Sequence, residues 1–133
     1  MFMERIRQFA GPGGAYTRGK WLIRAGRLTE ALEVFVLAER LWREELGPNH
    51  PYIANALAYK AWCEVKLGDA EAGSRDYHEA AAIATQFGGA GHPRTLQLLR
   101  HLEWARQRTA DDDVDSLDPP HIPNGRTPKW AAE

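Results

Sequence analysis

Apolar and polar residues recur along this chain with the 3.6-residue period of an α-helix. Segment 29–46 shows the period most clearly, because a broad apolar face alternates with glutamates and arginines on the opposite side. The apolar positions of this face are Leu28, Ala31, Leu32, Phe35, Ala38, Leu41 and Trp42. Val34, Val36 and Leu37 widen the face, so we expect this helix to pack against neighbours on two sides.

Four further segments carry the same period over shorter stretches, and each is predicted to be a helix. Their approximate ranges are 12–25 (from Pro12 or Ala15), 51–67, 69–86 and 93–108. The last of them has its apolar side assigned to Leu96, Leu99, Leu102 and Ala105. A short N-terminal helix within residues 1–10 follows from the spacing of Phe2, Ile6 and Phe9. The pattern therefore predicts an all-α chain.

A repeat underlies these helices. A His-Pro pair occurs at residues 50–51 and again at 92–93, an offset of 42 residues, and Gly26 and Gly68 have the same offset. Proline suits the first turn of a helix, whereas the residue before it is pushed out of the helical region. Each His-Pro stretch therefore separates one helix from the next, and a period of this length is typical of a solenoid.

Residues 46–51 read Leu-Gly-Pro-Asn-His-Pro. Small and bulky residues recur around this linker: Gly19, Gly26, Ala31, Phe35 and Ala38 in one unit, then Ala61, Gly68, Tyr77 and Ala80 in the next. In these residues the chain resembles the tetratricopeptide repeat (TPR), in its 42-residue, kinesin-light-chain-like variety, over about residues 12–108. Gly73 departs from the pattern, since such repeats usually have alanine there. The resemblance implies a short right-handed superhelix of antiparallel helix pairs, a TPR-like α-solenoid of about two and a half repeats.

The third unit differs from the first two. Glu103 occupies the small-residue position of Gly19 and Ala61, where a glutamate would collide with a following helix. We therefore expect helix 93–108 to end the solenoid as a cap with a polar outer face. Because about three repeats are usually needed to bury a continuous core, we also expect support from the N-terminal helix, self-association or a partner.

The resemblance implies protein binding by the concave surface that the first helix of each pair lines. The residues that repeat position places there are Tyr16, Lys20, Ile23, Ala58, Tyr59, Trp62, Lys66, Arg100, His101, Trp104 and Arg108. In kinesin light chains, asparagines of these helices hold the peptide backbone, but the corresponding positions here are 58–59 and 100–101, with no asparagine. The basic pattern with which chaperone-binding relatives clamp a terminal carboxylate is not reproduced either. We therefore expect another protein or a peptide as the partner, with an acidic segment as one option.

The two tryptophans of this surface have two interpretations. Trp62 and Trp104 share one repeat position and could anchor a bound segment beside the basic residues. Alternatively, they pack between adjacent helices and carry no binding role. Trp21 and Trp42 fall outside the mapped surface, and we expect both to be packing residues.

Charge divides the chain unequally. Charged residues make up 26% and hydrophobic residues 44% of the sequence, as in an ordinary soluble globular protein. Residues 109–133 hold six acids and two bases, a net of −4, and the remainder a net of +3. With four prolines and few apolar residues, 109–133 is predicted to be a disordered tail. It is either simply solvated, or folds back onto Lys20, Lys66, Arg100 and Arg108 to mask the groove. The basic excess is too dispersed to indicate nucleic acid.

No constellation of residues indicates catalysis, a cofactor or a metal site. His50, His92 and His101 have no zinc-ligand spacing, and a capping or packing role is expected for the loop histidines. Cys63 lies within an apolar helix, where a free cysteine behaves as a small hydrophobe. Residues 1–7 lack the apolar core of a secretory signal, no run is long enough to span a membrane, and one cysteine cannot form an internal disulfide. We therefore expect a non-enzymatic cytoplasmic adaptor or scaffold; the alternative is a structural subunit that assembles through the ends of the solenoid.

Overall fold

The computed structural model describes residues 11–108, which form five α-helices. They are α1 (Pro12–Arg24), α2 (Leu28–Leu46), α3 (Pro51–Lys66), α4 (Ala70–Gly88) and α5 (Pro93–Arg106). Each helix packs against the next along the chain, and no strand occurs within this range. The fold is the predicted all-α, TPR-like solenoid, with pairs α1–α2 and α3–α4 followed by the single helix α5. The predicted N-terminal helix (1–10) and acidic tail (109–133) lie outside the described residues.

The two glycines 42 residues apart make the same turn. Gly26 has φ 77° and Gly68 has φ 100°, a backbone conformation that glycine adopts without the penalty of a side chain. The residue after each glycine donates its backbone N–H five residues back, from Arg27 to Leu22 and from Asp69 to Glu64. This closes the last turns of α1 and α3 in the way typical of a helix that ends at glycine.

The His-Pro pairs begin helices, as the sequence predicts. The Nδ1 atom of His50 accepts the backbone N–H of Tyr52 at 3.0 Å, and Nδ1 of His92 accepts that of Arg94 at 3.0 Å. Each histidine therefore satisfies one of the amides left free at a helix start. This confirms the capping role and occupies one ring nitrogen of each loop histidine.

Two glycines allow paired helices to approach closely. A Cβ atom built on Gly19 in α1 would lie 2.6 Å from the Phe35 ring in α2. A Cβ on Gly73 in α4 would collide with Val65 in α3 and lie 3.0 Å from the carbonyl oxygen of Ala61. The tight α3–α4 contact is thus the physical reason for glycine at position 73, where repeats of this type usually carry alanine.

The predicted orientation of four apolar side chains needs correction, two of them in α5. In α5, Leu98, Leu102 and Ala105 are buried, whereas Leu96 and Leu99 are 50% and 44% exposed. Among the described elements α5 packs mainly against α4, so the side of α5 that carries residues 96 and 99 faces solvent. The outer face of the predicted cap is therefore partly apolar, although Glu103 is exposed on it as expected.

Tryptophans 21 and 42 also differ from each other. Trp42 is buried against Tyr16 and Tyr52, as a packing residue should be. Trp21 is 49% exposed, and the guanidinium of Arg18 lies 4.4 Å from the centroid of its ring. The packing role predicted for Trp21 is therefore wrong, because its side of α1 faces away from α2. In α2, Val36 is likewise exposed, although the helix packs against both α1 and α3 as predicted.

One ion-pair network joins three helices. Lys60 Nζ in α3 lies 3.1 Å from a Glu39 carboxylate oxygen in α2 and 3.5 Å from one of Asp76 in α4. Arg43 extends the network, with Glu39 at 2.9 Å and Glu79 of α4 at 2.7 Å. Lys60, Glu39 and Asp76 are largely screened from water, whereas Glu79 is 44% exposed. The Lys60 contacts therefore tie α3 to both second helices.

Candidate functional site

The first helix of each unit carries an aromatic ring with a cation above it. The distances from the cation to the ring centroid are 5.1 Å for Lys20 over Tyr16, 5.3 Å for Lys66 over Trp62 and 5.4 Å for Arg108 over Trp104. Side chains four residues apart share one face of a helix, and a cation within about 6 Å of a ring centroid is attracted to the ring. Arg108 follows α5 by two residues, and its side chain reaches back over Trp104. We refer to the surface that these pairs mark on α1, α3 and the C-terminal end of α5 as the first-helix face.

The repeat reproduces two of the three pairs. Trp62 and Lys66 recur 42 residues later as Trp104 and Arg108. In α1 the pair Tyr16–Lys20 lies one turn earlier in the repeat, so that Lys20 occupies the repeat position of Trp62. The face is thus built by repetition of one aromatic–cation arrangement rather than by unrelated surface residues.

The rings of this face are buried, and the cations form its outer layer. Tyr16, Tyr59, Trp62, His101 and Trp104 are all 7% exposed or less. The predicted cations Lys20, Lys66 and Arg108 are partly exposed, as is Ile23, and Arg100 is exposed. The structure therefore brings the aromatic members together as a floor beneath a basic rim.

Ring contacts connect neighbouring units beneath this face. Tyr59 stacks on Phe35 at a centroid distance of 5.0 Å and meets Tyr16 edge-on at 5.6 Å. One unit later, His101 lies 5.5 Å from Tyr77 and 6.4 Å from Trp104. These contacts join the first and second helices and fix the orientation of the rings. Trp62 and Trp104 are buried as packing residues, and each ring also lies beneath a cation. Packing and a role in binding are therefore compatible for both tryptophans.

Charge is segregated between first and second helices. Helices α1, α3 and α5 together hold eight lysines and arginines and two glutamates, a net of +6. Helices α2 and α4 hold eight acids and three bases, a net of −5. This division was not predicted from the sequence, because charge was summed over all residues before 109 and not over each helix. Burial, together with the charge of Arg24, lowers the pKa of Lys20, as expected where cations gather.

Arg94 was not anticipated from the sequence. It lies in the first turn of α5, is only 7% exposed, and interacts electrostatically with Tyr16, Tyr59 and Tyr77. Its Nη1 donates a hydrogen bond to Gln97 Oε1, while Nε and Nη2 have no partner among residues 11–108. The preceding unit has Tyr52 at this position, so the repeat pattern gave no reason to single Arg94 out.

The other chemically reactive groups have structural surroundings. Cys63 is fully buried, and burial, with Glu64 nearby, raises the pKa of its thiol to about 12, so it is protonated at neutral pH. Across residues 11–108, no group of three or more histidine, cysteine or acidic side chains could hold a metal ion. Nor does any helix in this range have the length and apolar character to cross a membrane.

Comparison with known proteins agrees with the repeat. The tetratricopeptide repeat family model matches residues 14–72, which cover most of α1, all of α2 and α3, and the first turn of α4. This match supports a tetratricopeptide repeat protein, a family that generally mediates protein–protein interactions and is generally not catalytic. No curated protein and no solved structure matches the chain.

Proposed function

We propose that this protein is a non-enzymatic adaptor or scaffold that binds an acidic peptide or protein segment on the first-helix face. The observation that carries the proposal is the row of three cations, Lys20, Lys66 and Arg108, held over aromatic rings, on first helices whose net charge is +6. Complementary charge steers association and selects among partners. Within the TPR family, interaction with another protein is the general role.

The geometry of the cations supports binding as well as attraction. Ordering a long flexible side chain at an interface costs about 0.5–1.5 kcal/mol. Lys66 and Arg108 are already held over Trp62 and Trp104, so part of this ordering precedes binding. An acidic segment lying across the face would meet a row of oriented donors with apolar ring edges between them.

We further propose that the chain belongs to the 42-residue, kinesin-light-chain-like variety of the repeat and acts in the cytoplasm. Support for the variety comes from the recurrence, at one offset of 42 residues, of the turn glycines, the capping histidines and the aromatic–cation pairs. The cytoplasmic assignment rests on the single, buried, unpaired cysteine.

Reversal of the rim charge tests the proposed face. Lys66→Glu combined with Arg108→Glu should lower capture of native partners from a cell extract at least tenfold, since two attractive contacts become repulsive. The matched control is Arg75→Glu in α4, an exposed arginine whose ion pair with Glu71 lies outside the first helices. Surface substitutions usually alter stability by under about 0.5 kcal/mol, so circular dichroism should show folded protein in each case. An unchanged set of captured partners in the double variant would exclude this face.

A second candidate function is that of a structural subunit. It is favoured by Leu96 and Leu99, two large apolar side chains that are half exposed on the outer side of α5. Assembly through this end would predict a mass that rises with protein concentration in sedimentation experiments and falls to the monomer in Leu96→Glu plus Leu99→Glu. A constant monomer mass, together with loss of partners on reversal of the rim charge, would leave the adaptor as the better description.

A further inference from the structure

An arginine is buried beneath the first-helix face with one edge of its guanidinium unused. We propose that Arg94 is a carboxylate-binding site, in which its Nε and Nη2 donate to the two oxygens of a carboxylate from an acidic segment. The site deepens the proposed function by specifying the chemistry of the bound segment, but it stands on contacts of its own.

Arg94 carries a positive charge in a buried position. Its side chain is 7% exposed, and burial lowers its pKa to about 10, partly opposed by Tyr16, Tyr59 and Tyr77. Arg94 therefore remains a cation at neutral pH. Taking a charge out of water costs several kcal/mol unless a partner compensates it, so a buried arginine normally has a counter-ion.

Within residues 11–108, the neighbours of Arg94 do not supply a counter-ion. No ion pair of Arg94 with a carboxylate is found in residues 11–108, and within this range its guanidinium donates a hydrogen bond to the neutral amide of Gln97. Burial raises the pKa of Tyr16 and of Tyr77, so both hydroxyls are protonated and neutral. Both hydroxyls also lack a hydrogen-bond partner within the same range. The surroundings of Arg94 thus offer further potential donors and no negative charge.

The unpaired edge of the Arg94 guanidinium has the shape that a carboxylate requires. In a guanidinium group, Nε–H and one N–H of Nη2 point the same way along one edge, and this fork matches both oxygens of a carboxylate. These are the two nitrogens of Arg94 without a partner, whereas Nη1, on the other side, is held by Gln97. The hydrogen bond to Gln97 fixes the plane of the group, and the bidentate edge is buried without a hydrogen-bond partner among residues 11–108.

The single charge of Arg94 favours a carboxylate over other anions. One guanidinium balances the single charge of a carboxylate, and a phosphate dianion would bring a second charge into a site with no second buried cation among its recorded neighbours. The carboxylate can come from two sources. One is a bound partner, and the other is the chain's own acidic run, Asp111, Asp112, Asp113 and Asp115.

The test follows the Nε–H signal of Arg94 by NMR in the full-length chain during titration with sodium acetate. Sodium chloride at matched ionic strength controls for screening, and Arg94→Met assigns the signal. We expect a saturable shift with a Kd on the order of 10 mM, as befits a four-atom ligand with one bidentate contact. The exposed Arg106 of α5 is the internal control, and its Nε–H should not respond in a saturable way.

A second full-length chain, with the four aspartates changed to asparagine, separates the two sources. An equal acetate response in both chains would identify a partner as the source. A response that appears, or strengthens at least tenfold in affinity, only in the asparagine variant would identify the chain's own acidic run.

No saturable acetate response in either chain would overturn the proposal, as would an equal response at Arg106 or a response to inorganic phosphate but not to acetate. Because the titration is carried out on the chain with Arg94 intact, it decides even if Arg94→Met does not fold. It also needs no partner, so its failure is distinct from failure of the rim-charge experiment with Lys66 and Arg108.

Discussion

Replacement of Gly19 by alanine tests the closest contact between α1 and α2. Three atoms of the Phe35 ring lie 2.6–2.8 Å from the position of the new Cβ, which is closer than carbon atoms approach in proteins. Phe35 has no exposed surface, stacks on Tyr59 and meets Tyr16 edge-on. The ring therefore cannot move aside without disturbing the aromatic floor of the first-helix face.

Two effects of opposite sign determine the outcome. Alanine is favoured over glycine inside a helix by about 1 kcal/mol. Overpacking of a well-filled core costs about 1–3 kcal/mol, and displaced ring pairs would add about 0.5–1.5 kcal/mol each. We expect the steric effect to win, so that Gly19→Ala lowers the free energy of unfolding by about 1–2 kcal/mol. For a domain of this size that corresponds to a Tm lower by roughly 4–16 °C.

Urea unfolding followed by far-ultraviolet circular dichroism provides the measurement, with Gly13→Ala as the matched control. Gly13 lies in the same helix, and the described residues place nothing within 4 Å of a Cβ there, so its replacement should be neutral or mildly stabilising. Phe35→Leu combined with Gly19→Ala should be less damaging than the two single changes added together. If Gly19→Ala proves as stable as Gly13→Ala, the close α1–α2 packing described here is wrong.

The helices were predictable because their ends carry local signals. The predicted ranges 29–46 and 51–67 agree within one residue with α2 and α3, and 69–86 and 93–108 within two residues with α4 and α5. Capping histidines, first-turn prolines and positive-φ glycines act over three or four residues. Such signals can be read without knowledge of the tertiary structure.

The side of a helix that is buried was less predictable, because it depends on neighbours. Leu96 and Leu98 are equally apolar, but only Leu98 faces α4 and the core. A 3.6-residue period identifies a stripe and cannot by itself show which neighbour covers it. Trp21 illustrates the same limit, since its ring turned out to lie under Arg18 at the surface.

The predicted binding residues were placed by repeat position alone, and burial changes their roles. For Trp62 and Trp104 the sequence left anchoring and packing as alternatives, and the structure places both rings buried beneath Lys66 and Arg108. The segregation of charge between first and second helices could have been found from the sequence by counting each predicted helix separately. Arg94 could not, because its burial results from the packing of several units around it.

Three further predictions concern the helix-capping residue His50 and the polar side chains Lys60 and Glu64. His50→Ala should destabilise the protein by about 0.5–2 kcal/mol in urea unfolding, and His50→Asn should recover most of the loss as an alternative cap. Lys60→Met should lower the free energy of unfolding by about 1–3 kcal/mol, because it leaves the Glu39 and Asp76 carboxylates without the cation between them. This loss should be smaller in 1 M salt, which screens the repulsion between the two carboxylates. Burial, followed by the hydrogen bond and charge of Asp76, raises the pKa of Glu64 well above its usual range, so the folded state binds that proton more tightly than the unfolded state. The stability contributed by Glu64 is therefore complete below the ordinary carboxyl pKa of about 4.3 and is lost as the pH rises towards the raised value. Glu64→Gln should gain about 1 kcal/mol over wild type between pH 5 and pH 8, after allowance for solvent screening, and a difference that stays constant over this interval would contradict the shift.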